Sequence, residues 1–141
     1  DSENDIERLP LLSKAEVAEV ILRRVAQLLR ARALIHICSR ADWELALQQG
    51  DYRPASLAND GFIHCSTPQQ VLATANRYFT GVSGLVLLWI NARRLRPKLR
   101  WEPSEGSLFP HVYGALNLDA VLTVHDFAAD ADGVFRTLSL D

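Results

Sequence analysis

The unbroken apolar run Leu85-Val86-Leu87-Leu88-Trp89-Ile90 sets the first constraint on the fold. Successive side chains of a strand point to opposite faces. A six-residue run with no polar position therefore needs apolar cover on both sides, as a central strand does. The run is far shorter than the ~20 residues of a membrane span. The chain has the material for such cover: 141 residues, 48% apolar and 23% charged. That is the composition of one domain with a short appendage, and it excludes disorder for the bulk.

A formal net charge of -2 gives no bulk attraction to nucleic acid or to a membrane surface. The two cysteines, Cys38 and Cys65, lie in apolar runs. They read as two buried thiols rather than a bridge, and no CxxC suggests a zinc or thioredoxin-like centre. The first ten residues are acidic and polar, so no signal peptide is visible and a cytoplasmic location is expected. The sequence contains no Met, which is expected of a chain that is processed, excised from something longer, or partial.

Residues 1–33 read as a flexible lead, Asp1 to Pro10, followed by an added helix. Ser13 is its N-cap and Glu16 its N3 residue, and it runs to about Arg32 with Val17, Val20, Ile21, Leu28 and Leu29 as a stripe. Such a helix packs on the domain or links it to a partner, including a fused N-terminal domain. Residues 34–141 form the main domain. Leu34 to Cys38 is a strand, and Ser39 caps a helix that ends at Gly50. Pro54 to Asn59 is loop or one helical turn. Phe62 to Cys65 is a strand. Thr67-Pro68-Gln69-Gln70 starts a helix, Leu99 to Glu102 is a short strand, and Pro103 to Pro110 is a loop. Ala120 to Phe127 is a strand, and Val134 to Leu138 a last, edge strand. Short strands with two or three helices predict an α+β fold, with a doubly wound sheet as the alternative.

Three of the four histidines have settings that suggest chemistry. His36 lies in the first core strand and shares a face with Leu34 and Cys38, so it must be hydrogen-bonded or reach a cleft. His64 stands at a strand end before the Thr67 helix, with Ser66 the nearest hydroxyl. His111 and Tyr113 are two apart and face the same way in extended chain. Glu102 is placed to serve the same cleft as acid, base or sugar-hydroxyl acceptor. His125 reads as structural, and Cys65 has core flanks rather than those of a nucleophile. The histidines lack close ligand spacing, so no metal is expected. Arg93 to Arg100 holds five basic residues in eight. It is either a solvated loop or a patch that receives phosphate from a nucleotide or RNA. Arg40 and Arg53 are further candidate phosphate ligands.

The blocks Ile35-His36-Ile37, Trp43 to Tyr52 with Gly50, Gly61-Phe62-Ile63-His64-Cys65-Ser66, Gln70, Asn76, Leu87-Leu88, Trp101-Glu102 and Phe109-Pro110-His111-Val112-Tyr113-Gly114 resemble the small bacterial family known as domain of unknown function 952. The likeness covers about Leu34 to Leu138. That family is similar in fold to ADP-ribosyltransferases and the related RNA 2'-phosphotransferases. The resemblance implies an ADP-ribosyltransferase-like α+β fold, with small mixed or antiparallel sheets around a cleft and two or three packed helices. It implies NAD as cofactor, with His36 holding its ribose, His64 bordering the cleft, and His111 with Tyr113 lining it. The transferase glutamate usually comes late in the chain, where this sequence offers Asp126; Glu102 would have to take its place. Three functions follow as expectations. One is an NAD-dependent ADP-ribosyl- or phosphotransferase-like enzyme. Another is a non-catalytic module for a nucleotide, a phosphate ligand or an RNA end. The third is an accessory domain that meets a protein partner through the first helix.

Overall fold

The computed structural model describes residues 13–138, without the side chains at positions 26, 27 and 29–31. The expected flexible lead lies outside the described residues, as does the side chain of Leu29. The chain divides into two compact units, residues 1–31 and 32–141. In the first, helix α1 spans Lys14–Ala31. Its start is capped as the sequence predicts, with Glu16 N–H donating to Ser13 Oγ at 3.1 Å. Val20, Ile21, Leu22, Val25 and Leu28 are exposed on it.

The second unit runs β1 (Leu34–Ser39), α2 (Arg40–Gln49), β2 (Asp51–Tyr52), α3 (Ala55–Asp60), β3 (Ile63–His64), α4 (Val71–Tyr78), β4 (Leu85–Ile90), β5 (Lys98–Ser104), β6 (Ser107–Tyr113), β7 (Leu116–Asn117) and β8 (Val121–Phe127). Short 3-10 turns at Ala92–Arg94 and Leu118–Ala120 complete it. The strands form three small sheets, β1-β4-β8, β2-β7 and β3-β6-β5, and every pair is antiparallel. This is an α+β fold, and the doubly wound alternative is excluded because such a sheet is mostly parallel.

The apolar run behaves as predicted. Strand β4 is central, and all six of its residues are buried. Val86, Leu88 and Ile90 join one core cluster with Leu34, Cys38, Tyr52 and Ile63. Leu85, Leu87 and Trp89 join another with Ile35, Val71, Ala75 and Phe135. Ser39 caps α2 through a bond from Asp42 N–H (3.0 Å), and Gly50 closes it in the left-handed conformation at φ 92°.

Three expectations need correction. The segment from Pro103 to Pro110 is not a loop but the turn end of a hairpin, β5–β6, closed by Glu105 and Gly106 at φ 57° and 78°. Two successive positive φ angles make the tight primed turn whose twist suits a hairpin. Glu105 hides that turn from the sequence, since Asn or Asp usually fills this place. Pro110 sits in the middle strand of its sheet. Its carbonyl accepts from Cys65 N–H at 3.1 Å, just past the end of β3. The nitrogen of a strand residue points the same way as its carbonyl, so this end pair makes one backbone bond where an ordinary residue could make two.

The helix expected from Thr67 starts at Val71. The Gln70 half of the capping box does form, with Thr67 N–H donating to Gln70 Oε1 at 3.0 Å. Finally, Val134 to Leu138 is not a strand. Phe135 is instead held by one side chain: its N–H donates to Asn76 Oδ1 (2.7 Å), and Asn76 Nδ2 donates to its carbonyl (2.9 Å). The Phe135 ring stacks on Phe127, with centroids 4.6 Å apart.

Asn76 thus replaces a whole strand partner with one amide. Asn76→Ala removes both bonds and leaves two backbone groups unpaired, at a cost of about 2 kcal/mol. Urea unfolding of the full chain measures this, and a loss under about 0.5 kcal/mol would contradict the assignment.

Candidate functional site

The hairpin β5–β6 and the short strand β3 carry His64, Trp101, His111 and Tyr113. Register places Lys98 opposite Tyr113, Arg100 opposite His111, and Glu102 opposite Phe109. His64 lies opposite His111 on the other side of β6. Directly paired residues project from one face of a sheet. Lys98, Arg100, Glu102, His111, Tyr113 and His64 therefore share a face. Gly61, left-handed at φ 86°, ends α3 and turns the chain into β3.

Two carboxylate–imidazole pairs meet there. His111 Nδ1–H donates to Glu102 Oε1 at 2.9 Å, and His64 Nε2–H donates to Asp60 Oδ2 at 2.9 Å. The two rings stand edge to face with centroids 5.5 Å apart. Phe62 fills the corner between them, stacked on His111 at 4.0 Å and 4.6 Å from His64. Each carboxylate fixes one ring nitrogen as the donor, which leaves the other nitrogen to act. His111 Nε2 and His64 Nδ1 have no partner among the described residues. His111 is nearly buried, whereas the His64 side chain is about half exposed.

Glu102 is held firmly in its charged form. The Tyr113 hydroxyl donates to it and, with the His111 bond, keeps its carboxyl below the usual range. Both bonds land on Oε1, so Oε2 keeps its acceptor capacity. The Arg100 guanidinium lies 5.2 Å over the Tyr113 ring, a cation–π contact that holds positive charge at this face.

His36 lies beneath this face rather than on it. Its Nδ1–H donates to the His64 carbonyl at 2.5 Å, and its Nε2 accepts from the Tyr52 hydroxyl at 2.7 Å. Burial pushes its pKa down to about 4. The ring is therefore neutral at neutral pH, and neither nitrogen is left to offer a ribose. Its bond to the backbone of His64 makes it a support for that residue.

The remaining candidates lie elsewhere. Ser66 is buried and its hydroxyl meets Thr74 Oγ1 at 3.3 Å. Arg40 pairs with Asp126 across the β1-β4-β8 sheet. Arg53 pairs with Asp51 and lines an open depression with Asp42, Gln49 and Tyr52. Burial pushes the Cys65 thiol up to about 12 and the Cys38 thiol up to about 11, the wrong direction for a nucleophile. Among the described residues no group of three His, Cys, Asp or Glu is placed to hold a metal ion. Among the described residues no helix is long and apolar enough to cross a membrane.

Sequence reasoning missed Asp60, Phe62 and Tyr52 as parts of the site, and had Arg100 only within the basic segment Arg93 to Arg100. Asp60 and Arg100 were legible in principle. Asp60 precedes His64 by four residues across a turn signal, and Arg100 alternates with Glu102 once a strand runs through both.

Two predictions test this geometry. Tyr113→Phe removes the largest influence that lowers Glu102, so the Glu102 carboxyl titrates at higher pH in a carbon-detected NMR titration; an unmoved midpoint contradicts the bond. His36 stays a neutral Nδ1–H tautomer down to about pH 5 in nitrogen NMR. Its folded pKa of about 4 lies below the usual 6.5, so the unfolded chain binds the proton first. The stability held by neutral His36 is complete above about pH 6.5 and is lost as pH falls toward 4. A His36→Gln variant should flatten that part of the stability profile.

Comparison with known proteins gives a consistent family. The family described as "Protein of unknown function (DUF952)" matches residues 37–124, which includes His64, Glu102, His111 and Tyr113 and begins one residue after His36. No curated protein matches the chain. Among solved structures, the crystal structure of protein CC0527 from Caulobacter crescentus is 40% identical, covering 74% of this chain and 93% of that one, with a TM-score of 0.69. A crystal structure of its double mutant gives the same values. Its solution NMR structure gives a TM-score of 0.65 at 40% identity, over 74% of this chain and 91% of that one. Matched by the family model over residues 37–124 and 40% identical to CC0527 over 74% of its length, the chain belongs to the DUF952 family.

Proposed function

We propose that the β3-β6-β5 face binds a nucleotide and transfers a phosphoryl group from its ribose to water. One observation carries this reading: two imidazoles, each oriented by its own carboxylate, stand 5.5 Å apart on one face beside an arginine. Phosphoryl transfer needs little more than positioning, charge neutralisation and two proton movements. A neutral imidazole takes the proton of the attacking water, and an imidazolium gives one to the leaving ribose oxygen as its bond to phosphorus breaks. His111 Nε2 and His64 Nδ1 fill these roles. Arg100 faces the non-bridging phosphate oxygens. Glu102 Oε2 accepts from a ribose hydroxyl while Oε1 keeps its two internal donors.

The reading takes the phosphotransferase side of the ADP-ribosyltransferase-like likeness. The late acid Asp126 is engaged by Arg40 on β8, in the other three-stranded sheet. His36 has both nitrogens bonded within the protein. NAD, as the resemblance places it on His36, does not fit these residues, and no step is drawn through it. His36 and Tyr52 act here as positioning residues, through the carbonyl of His64.

Calorimetric titration with AMP and with NAD tests the site. Saturable AMP binding should weaken at least tenfold in His111→Ala and Arg100→Ala and stay unchanged in Arg40→Ala and Arg53→Ala. Phosphoryl release from nucleoside monophosphates to water, followed by phosphorus NMR, should be abolished by His64→Ala and retained in Arg40→Ala. Binding without any release would leave a non-catalytic nucleotide module. No binding of either ligand at millimolar concentration would sink the reading, and NAD binding lost in His36→Ala would restore the NAD enzyme.

A further inference from the structure

The basic segment before β5 is not a loose solvated run. Two anchors fix its backbone beside the histidine face. Asn117, nearly buried, accepts from Arg96 N–H on Oδ1 (2.9 Å) and donates from Nδ2 to the Arg94 carbonyl (2.9 Å). Gly114 lies so close to Pro97 that a Cβ there would stand 2.8 Å from the proline Cβ. Such a distance is a clash, so only glycine allows Pro97 to seat against the end of β6.

These anchors feed the segment straight into the end of β5 that faces Tyr113. Among the described residues Arg93, Arg94, Lys98 and Arg100 make no ion pair, while Arg96 pairs with Asp119. Lys98 and Arg100 share the face of His111 and Tyr113. From Lys98 to Glu102 the strand spans about 13 Å, longer than one phosphate needs. Glu102 is the only acid on β5, and its Oε1 is committed to Tyr113 and His111. Four unpaired cations on a braced backbone, leading to an acid–base pair, match a chain of phosphates that ends at the pair. The net charge of the protein does not oppose this, because a positive groove acts locally within a Debye length.

We propose that Arg93 to Arg100 forms a track for the phosphodiester backbone of a single-stranded nucleic acid whose terminal nucleotide occupies the histidine face. This rests on the nucleotide reading of that face and extends it from a mononucleotide to a chain end. Arg100 lying over Tyr113 supplies a flat cationic surface at the entry to the face.

Calorimetry on the full chain compares AMP with a single-stranded oligoribonucleotide of about ten nucleotides at several salt concentrations. The oligonucleotide should bind at least tenfold more tightly than AMP. Its log K should fall more steeply with log salt, by about 0.7 for each added phosphate contact. The double variant R93S/R94S should erase most of that advantage and lower the slope by about 1.4, with AMP affinity unchanged. Both residues are outside the acid–base machinery. Equal affinity and slope for AMP and the oligonucleotide, or an oligonucleotide insensitive to R93S/R94S, overturns the track and leaves the nucleotide reading standing. Failure of both ligands to bind overturns the nucleotide reading itself. Inorganic polyphosphate that competes as well as the oligonucleotide overturns the nucleic-acid assignment in favour of a simple polyanion.

Discussion

The two backbone hydrogen bonds between Ile35 and Ser66 join the two three-stranded sheets, and the site depends on that join. Ile35 N–H donates to the Ser66 carbonyl at 2.7 Å, and Ser66 N–H donates back to the Ile35 carbonyl at 2.8 Å. One residue further along β1, the His36 ring reaches the His64 carbonyl. The distance between sheets is thus set by covalent neighbours of the site residues. Two short hydrogen-bonded steps fix how far His64 stands from the β1-β4-β8 sheet. His64 in turn fixes the outer side of the histidine face. A polar side chain between sheets is costly unless fully bonded. His36 meets that condition with both nitrogens, which is why a histidine is tolerated among Leu34, Cys38 and Leu88.

The histidines divide by environment rather than by residue type. His36 is buried and neutral. His111 is nearly buried but faces a carboxylate. His64 is half open and faces another. The core cluster withholds the charged form from His36, whereas in the outer pair the Glu102 and Asp60 carboxylates each accept from one ring nitrogen. His125, on β8, bonds to Thr123 Oγ1 at 3.1 Å and meets the edge of the Trp89 ring.

Much of this was legible in the sequence, for reasons that differ by element. The β4 run could be read because central strands have no polar positions. The α2 helix could be read because Ser39, Asp42 and Gly50 are its own stop and start signals. The hairpin was hidden because two prolines and a glutamate in a left-handed position imitate a loop, although the register runs unbroken from Lys98–Tyr113 to Ser104–Ser107. The last segment imitated a strand because Val134, Phe135 and Leu138 are apolar, yet Asn76 holds the backbone of Phe135 and the turn from Asp130 to Asp132 holds that of Val134. The site residues His64, Glu102, His111 and Tyr113 were legible as motifs. Their meeting was not, since it depends on pairing between segments far apart in the chain. His36 was legible as a histidine that must be satisfied, but its partner Tyr52 lies beyond a helix.

The tight turn at Glu105 and Gly106 also bears on how the molecule assembles. Strands β5 and β6 are adjacent in the chain, so closing them costs little loop entropy and a hairpin of this kind forms on the microsecond scale. Strands β1 and β4 pair across a long intervening stretch, and contacts of that range form slowly. Half of the candidate site, with Glu102, His111 and Tyr113, is thus encoded in a piece of chain able to order locally. The other half waits for β3 to be delivered by the slower sheet. In an unfinished chain the anionic Glu102 and its two donors can therefore meet before the second imidazole arrives, and the face gains its full complement of groups only when the core beneath it is complete.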